Sequence, residues 1–135
     1  MSIQRIPLTD LLSACDAAVA AGKTPLVLDR STGSNVNTFF SYRSANILDG
    51  KKMGLDKSMR KVPLLDIMED ARKRLVQSIK YGYPFVIAMT QSITDFATTF
   101  NDENAARESG EQRSYLPNEM FIKGGKGLLD SDIMD

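Results

Sequence analysis

The sequence contains no histidine and no tryptophan, and its one cysteine is Cys15. Without histidine there is no Ser–His or Cys–His nucleophilic pair, no imidazole general base and no histidine-ligated zinc. Any metal would have to be a hard, oxygen-bound ion such as magnesium or calcium. A lone cysteine forms no internal disulfide and suits a reducing compartment. Charge of one sign is missing too: 17 basic residues balance 17 acidic ones. That balance gives nucleic acid or an anionic membrane no overall pull, so nucleic acid is not expected as a partner. No run approaches the roughly 20 apolar residues of a membrane span, and "MSIQRIPLTD" lacks the apolar core of a signal peptide. The expectation is a cytoplasmic chain with no membrane partner.

What is present suffices for a folded core. Apolar residues make up 42% of 135 residues and charged ones 25%, so one domain spanning 1–135 is expected, with room to be part of a larger protein. "PLTDLLSACDAAVAAGK" repeats Leu11, Leu12, Cys15, Ala18 and Val19 at helical spacing, with Thr9 as N-cap and Gly22 as stop. This predicts a helix over 8–21. "VPLLDIMEDARKRLVQSIKYG" predicts a second over 63–80, with Leu64, Met68, Ala71, Leu75 and Ile79 on one stripe. Leu65, Ile67 and Val76 widen that stripe. Its acidic residues come early and its basic ones late, which complements the helix dipole.

Two short apolar runs, "PLVLD" at 25–29 and "YPFVIAM" at 83–89, read as strands buried on both faces. "TFFSYR" fits a strand or the start of a helix, and Asp49-Gly50 marks a turn. "ITDFATTF" suggests a short helix with Ser92 as its cap, and a strand is expected near 120–123. Residues 101–114 and 124–135 lack apolar periodicity and are expected to be mobile. A strand, a long connection containing a helix and a second strand make a crossover unit. The fold class is therefore α/β: a small three-layer domain with a short, mostly parallel sheet of three to five strands flanked by helices.

Open α/β sheets hold ligands beyond the carboxyl ends of their strands. The loop "DRSTGSN" follows the first apolar run, and "TQSITD" follows the second. The candidate ligand residues are thus Asp29, Arg30, Ser31, Thr32, Gly33, Ser34 and Asp95, with an anion expected where 30–35 meets 91–95. Against this, aspartate in a loop commonly caps backbone amides, and that role is favoured for Asp29. Asp95 suits the first turn of a helix. No phosphate motif is intact. Gly33 is followed by Ser34-Asn35 rather than a Walker Lys-Ser/Thr, and the loop has one glycine where a dinucleotide fingerprint needs three. An aspartyl nucleophile of the phosphatase type needs a second aspartate where Ser31 stands.

The basic residues Lys51, Lys52, Lys57, Arg60 and Lys61 read as a solvated loop, partly offset by Asp49 and Asp56. The layout is similar to nucleotide-binding α/β folds, but layout does not confer function. The leading expectation is a non-catalytic binding or protein-interaction module without a cofactor, bound to a protein partner or to the remainder of a larger chain. The alternative is a nucleotide- or phosphate-handling enzyme with an atypical loop at 29–35, using magnesium with the nucleotide.

Overall fold

A computed structural model describes residues 3–89 and 93–117. A 3-10 turn, Leu8–Asp10, leads into α1, Leu11–Ala20, which realises the first predicted helix. Then follow α2 (Asn35–Ser41), β1 (Asn46–Asp49), α3 (Gly50–Ser58), α4 (Leu64–Tyr81), β2 (Phe85–Ala88) and α5 (Asp102–Ser109). The chain is a small α/β domain with five α-helices and one short parallel sheet among the described residues.

The sheet pairs β1 with β2 in parallel, Asn46 opposite Phe85 and Asp49 opposite Ala88. A parallel pair needs a long crossover, and α3 and α4 supply it. The expected crossover unit is present, but its first strand is "NILD" rather than "PLVLD". Two apolar residues, Ile47 and Leu48, between polar ends leave little trace in a hydrophobic pattern. Asn46 is also tied to α4, its Nδ2 donating to Ser78 Oγ at 3.1 Å.

Pro25–Asp29 lies outside regular structure, which corrects the expected strand. An apolar run becomes a strand only where it meets a ladder partner, and among the described residues Pro25–Asp29 meets none, the one pairing being β1 with β2. The sheet accordingly has two strands among the described residues, not three to five. Of "TFFSYR", Thr38 to Ser41 form the end of α2, and Tyr42 and Arg43 turn out of it. Residues 93–100 form a turn, with Phe100 N donating to Asp95 O at 2.9 Å, rather than the expected helix. The basic stretch is not a loop: most of it lies on α3 and its end.

The longest helix, α4, starts behind Pro63 and stops at Gly82, whose φ of 69° is the left-handed conformation that glycine adopts without strain. Leu64, Ile67, Met68, Ala71 and Leu75 form the centre of the core, joined by Leu48 of β1 and Met53 of α3. Ile79, placed on the same stripe by spacing, is exposed instead, and the buried position falls on Ser78, which accepts from Asn46.

Residues 102–109, within the stretch expected to be a loop, form α5. Its signals are local: Asn101 Oδ1 accepts from Asn104 N at 2.7 Å, and Gly110 closes the helix at φ 75°. One fully buried residue, Ala105, seats it on the core. A single small contact leaves no periodicity to read. The strand expected near 120–123, and residues 124–135, lie outside the described residues.

Candidate functional site

The carboxyl end of the parallel pair is where an α/β fold meets ligands. β1 runs directly into α3 there. Asp49 caps that helix, its carboxylate accepting from Lys52 N at 3.2 Å. Beside the helix start lies a groove of about 440 Å³, lined on one side by Gly50, Gly54, Lys57 and Lys61, and on the other by Thr94, Asp95 and Thr99. Gly50, Gly54 and Lys57 follow helical spacing, so one face of α3 forms the wall, and Lys61 adds to it from just beyond the helix end.

Gly50 permits a close approach. A Cβ built there would collide with Thr94 Oγ1 and stand 3.1 Å from the Ala88 carbonyl oxygen. The hydroxyl of Thr94 has no hydrogen-bond partner among the described residues, although the residue is only 7% exposed. An unpaired buried hydroxyl is costly, so this atom marks the polar stress of the region.

The predicted site residues are placed less productively. Asp29 Oδ1 accepts from Ser31 N at 2.9 Å and from Ser31 Oγ at 2.6 Å, while Oδ2 accepts from Val36 N at 3.1 Å. Ser31 Oγ in turn accepts from Asn35 N at 2.9 Å. Together the two side chains satisfy free amides at the start of α2. The Ser31 hydroxyl first, and then the amides, hold the Asp29 carboxyl below its ordinary range. Ser34 sits in the left-handed region at φ 50° to turn the chain into α2. Arg30, Thr32, Gly33 and Ser34 are exposed.

Asp95 lines the groove, yet its carboxylate is turned into its own loop. It accepts from the Thr98 hydroxyl, from Thr98 N at 2.9 Å and from Thr99 Oγ1 at 3.1 Å. The Thr98 hydroxyl is the largest influence lowering its pKa. None of residues 29–35 lines this groove. The two loops were expected to meet because each was to follow a strand of one sheet. With Pro25–Asp29 outside the sheet, that reason is gone; Gln91 and Ser92 lie outside the described residues.

Other candidates are similarly spent. Lys52 Nζ and Arg60 Nη1 each contact a different oxygen of the buried Asp56 at 2.7 Å, so two of the five basic residues serve an internal ion pair. Cys15 is half-buried, and burial, followed by the charge of Asp16, pushes its thiol up, away from reactivity. Among the described residues, no three of His, Cys, Asp or Glu are grouped to hold a metal ion, and no helix is long and apolar enough to cross a membrane.

Sequence reasoning marked Gly50 only as part of a turn and Thr94 only within 91–95, and it missed that the two meet, because a contact between residues 44 positions apart has no local signature. It also missed a second feature. Leu26 and Leu28 are 81% and 64% exposed, and Val27 is exposed as well. No hydrogen bond to the main chain of Leu26, Val27 or Leu28 exists among the described residues. The run with the strongest strand signal at the amino end is thus exposed in its side chains and, among the described residues, without backbone partners. The chain matches no protein-family model, no curated protein and no solved structure.

Proposed function

We propose that the chain is a non-catalytic protein-interaction module that offers Pro25–Asp29 as an added strand to a partner. The observation that supports this reading is the exposure of Leu26 and Leu28 together with a main chain that has no hydrogen-bond partner among the described residues. An apolar, β-branched run left in water gains from burial, and an unpaired backbone gains from a ladder. Strand addition meets both needs, with main-chain bonds supplying affinity and alternate side chains specificity. Catalysis is not part of the proposal, because Asp29 and Asp95, the carboxylates offered for acid–base work, are engaged by their own loops.

The test replaces Leu26 with a photo-crosslinking residue in the host cell. Discrete adducts are expected, and adding Leu28→Asp should abolish them while leaving the thermal midpoint unchanged. No adducts, or adducts indifferent to Asp at position 28, would sink the reading.

A second reading, anion binding at the start of α3, is favoured by the unpartnered Thr94 hydroxyl and by Lys57 and Lys61 along the same groove. Phosphate or a magnesium nucleotide at a hundred times its dissociation constant should then add about 2.7 kcal/mol of stability. An unchanged melting curve across such a titration counts against it.

A further inference from the structure

The two edges of the small sheet are not alike. Asn46 N donates to Pro84 O at 2.9 Å, which fixes the phase of the parallel ladder. Asn46 and Leu48 turn their main-chain groups toward β2, and Ile47 turns away. The outward carbonyl of Ile47 is occupied, since Arg74 Nη1 donates to it at 3.2 Å from α4. The β1 edge is guarded by a cation. On β2 the same phase turns Val86 toward β1 and Phe85 and Ile87 outward. Neither Phe85 nor Ile87 makes a hydrogen bond outside the ladder among the described residues.

Soluble proteins blunt such an edge with lysine, proline or a covering element. Phe85-Val86-Ile87-Ala88 has no charge and no proline. The edge is four residues long, and the apolar part of the offered run, half-buried Pro25 followed by exposed Leu26, Val27 and Leu28, is also four. Pro25 stands at its first position, where a missing amide is tolerated in a strand. Among the described residues, one chain therefore carries an apolar run without a ladder and a strand edge without a neighbour, of matching length and like chemistry.

We infer that a second copy of the chain is the partner: Pro25–Leu28 of each copy adds to the outer edge of β2 in the other. This rests on the strand-addition reading above and names its occupant. Reciprocal exchange uses one run and one edge from each copy, so a two-fold dimer closes with neither left over. Charge does not oppose it, because 17 basic residues cancel 17 acidic ones and identical copies with no net charge do not repel.

Sedimentation equilibrium of the full chain should give the mass of two chains at high concentration, falling toward one on dilution. Leu26→Asp with Leu28→Asp should shift that equilibrium to the single chain, with the thermal midpoint unchanged at dilutions where the parent is itself a single chain. The contact itself is read with Arg30→Cys in one batch of chain and Met89→Cys or Tyr83→Cys in another, all with Cys15→Ser. Mixing and treating with a short bismaleimide should link unlike chains, through position 89 for a parallel addition and through 83 for an antiparallel one. A single-chain mass at every soluble concentration overturns the inference, as does a dimer that the paired Asp substitutions leave intact. So does a link formed within one chain, which would place the run on its own sheet. If the chain is monomeric but the Leu26 photo-adduct with another protein persists and is lost with Leu28→Asp, strand addition stands and only the second copy falls. Losing both the dimer and the adduct removes both.

Discussion

Thr94 places its hydroxyl in the space that a Cβ on Gly50 would fill. This contact joins the first residue of α3 to the segment after β2, and it gives an inverted expectation. Alanine normally stabilises a helix relative to glycine by about 1 kcal/mol. Here Gly50→Ala should instead destabilise by about 1–3 kcal/mol, the usual range for forcing extra volume into a packed site. Thr94→Ala should be neutral or stabilising, since it removes a hydroxyl that has no partner among the described residues. The double variant should recover part of the Gly50→Ala loss. Denaturant unfolding of the four chains measures this coupling, and simple additivity would show that the two residues do not press on each other.

The legible parts of the fold were those whose signal is local and repeated. The apolar stripe of α4 runs through Leu64, Met68, Ala71 and Leu75, with stops at both ends, and it was readable because one long helix supplies many of the core contacts. β1 was not readable: it offers two apolar residues, and Arg74 and Ser78, which hold its edge and its start, lie 27 and 32 positions away. "PLVLD" shows the converse. Its pattern states an affinity for a sheet, but whether an edge is free to take it is decided by the rest of the chain. The Asp29 loop was legible as a cap, because Ser31 and the amides it serves lie within seven positions. The groove at Gly50 was not, because nothing near Gly50 in sequence announces Thr94.

Leu75 and Leu26 separate core from surface within one residue type. Leu75 is buried in the central cluster, and Leu75→Ala should cost about 2–5 kcal/mol. Leu26→Ala should stay within about 0.5 kcal/mol at dilutions where the chain is single, because the side chain stands in solvent. Urea midpoints of the two variants check this directly. Equal losses would mean that the amino-terminal run is part of the core.

Acid should weaken the fold from a known direction. Asp29, Asp56, Glu69 and Asp95 all have carboxyls held below their ordinary values, each chiefly by a side-chain hydrogen bond, from Ser31, Lys52, Arg72 and Thr98 respectively. The unfolded chain therefore takes up protons first as the pH falls. Above the ordinary values, 3.8 for aspartate and 4.5 for glutamate, the stabilisation is complete. Below them it is lost progressively until the folded-state groups protonate too. Thermal midpoints should be flat from neutrality to about pH 5 and fall below it. Asp56→Asn should flatten that fall, because it removes a carboxylate held by two cations. An acid limb of unchanged steepness in this variant would remove the Lys52–Asp56–Arg60 group from the account.

Asp102 ties α5 to the segment that follows it. Its Oδ1 accepts from Tyr115 N and Leu116 N, both at 2.8 Å, and Oδ2 accepts from Ser114 Oγ at 3.1 Å. Tyr115 and Leu116 are themselves buried in the core cluster beside Ala105. One carboxylate at the first turn of α5 thus satisfies two amides that burial would otherwise leave unpaired. Asp102→Ala should cost about 1–3 kcal/mol for those orphaned donors. Asp102→Asn retains a carbonyl oxygen able to accept from both amides and should recover most of the loss. Hydrogen exchange gives the sharper reading. In the parent chain the amides of α5 from Ala105 onward should exchange slowly, as an ordered helix requires and composition alone does not suggest. In Asp102→Ala the amides of α5 and those of Tyr115 and Leu116 should speed up together, while α1 is unmoved, because the carboxylate joins only the first two into one unit. Fast exchange across 102–109 in the parent chain would show that the stretch is mobile in solution. Protection unchanged in the variant would show that packing at Ala105 alone holds the helix in place.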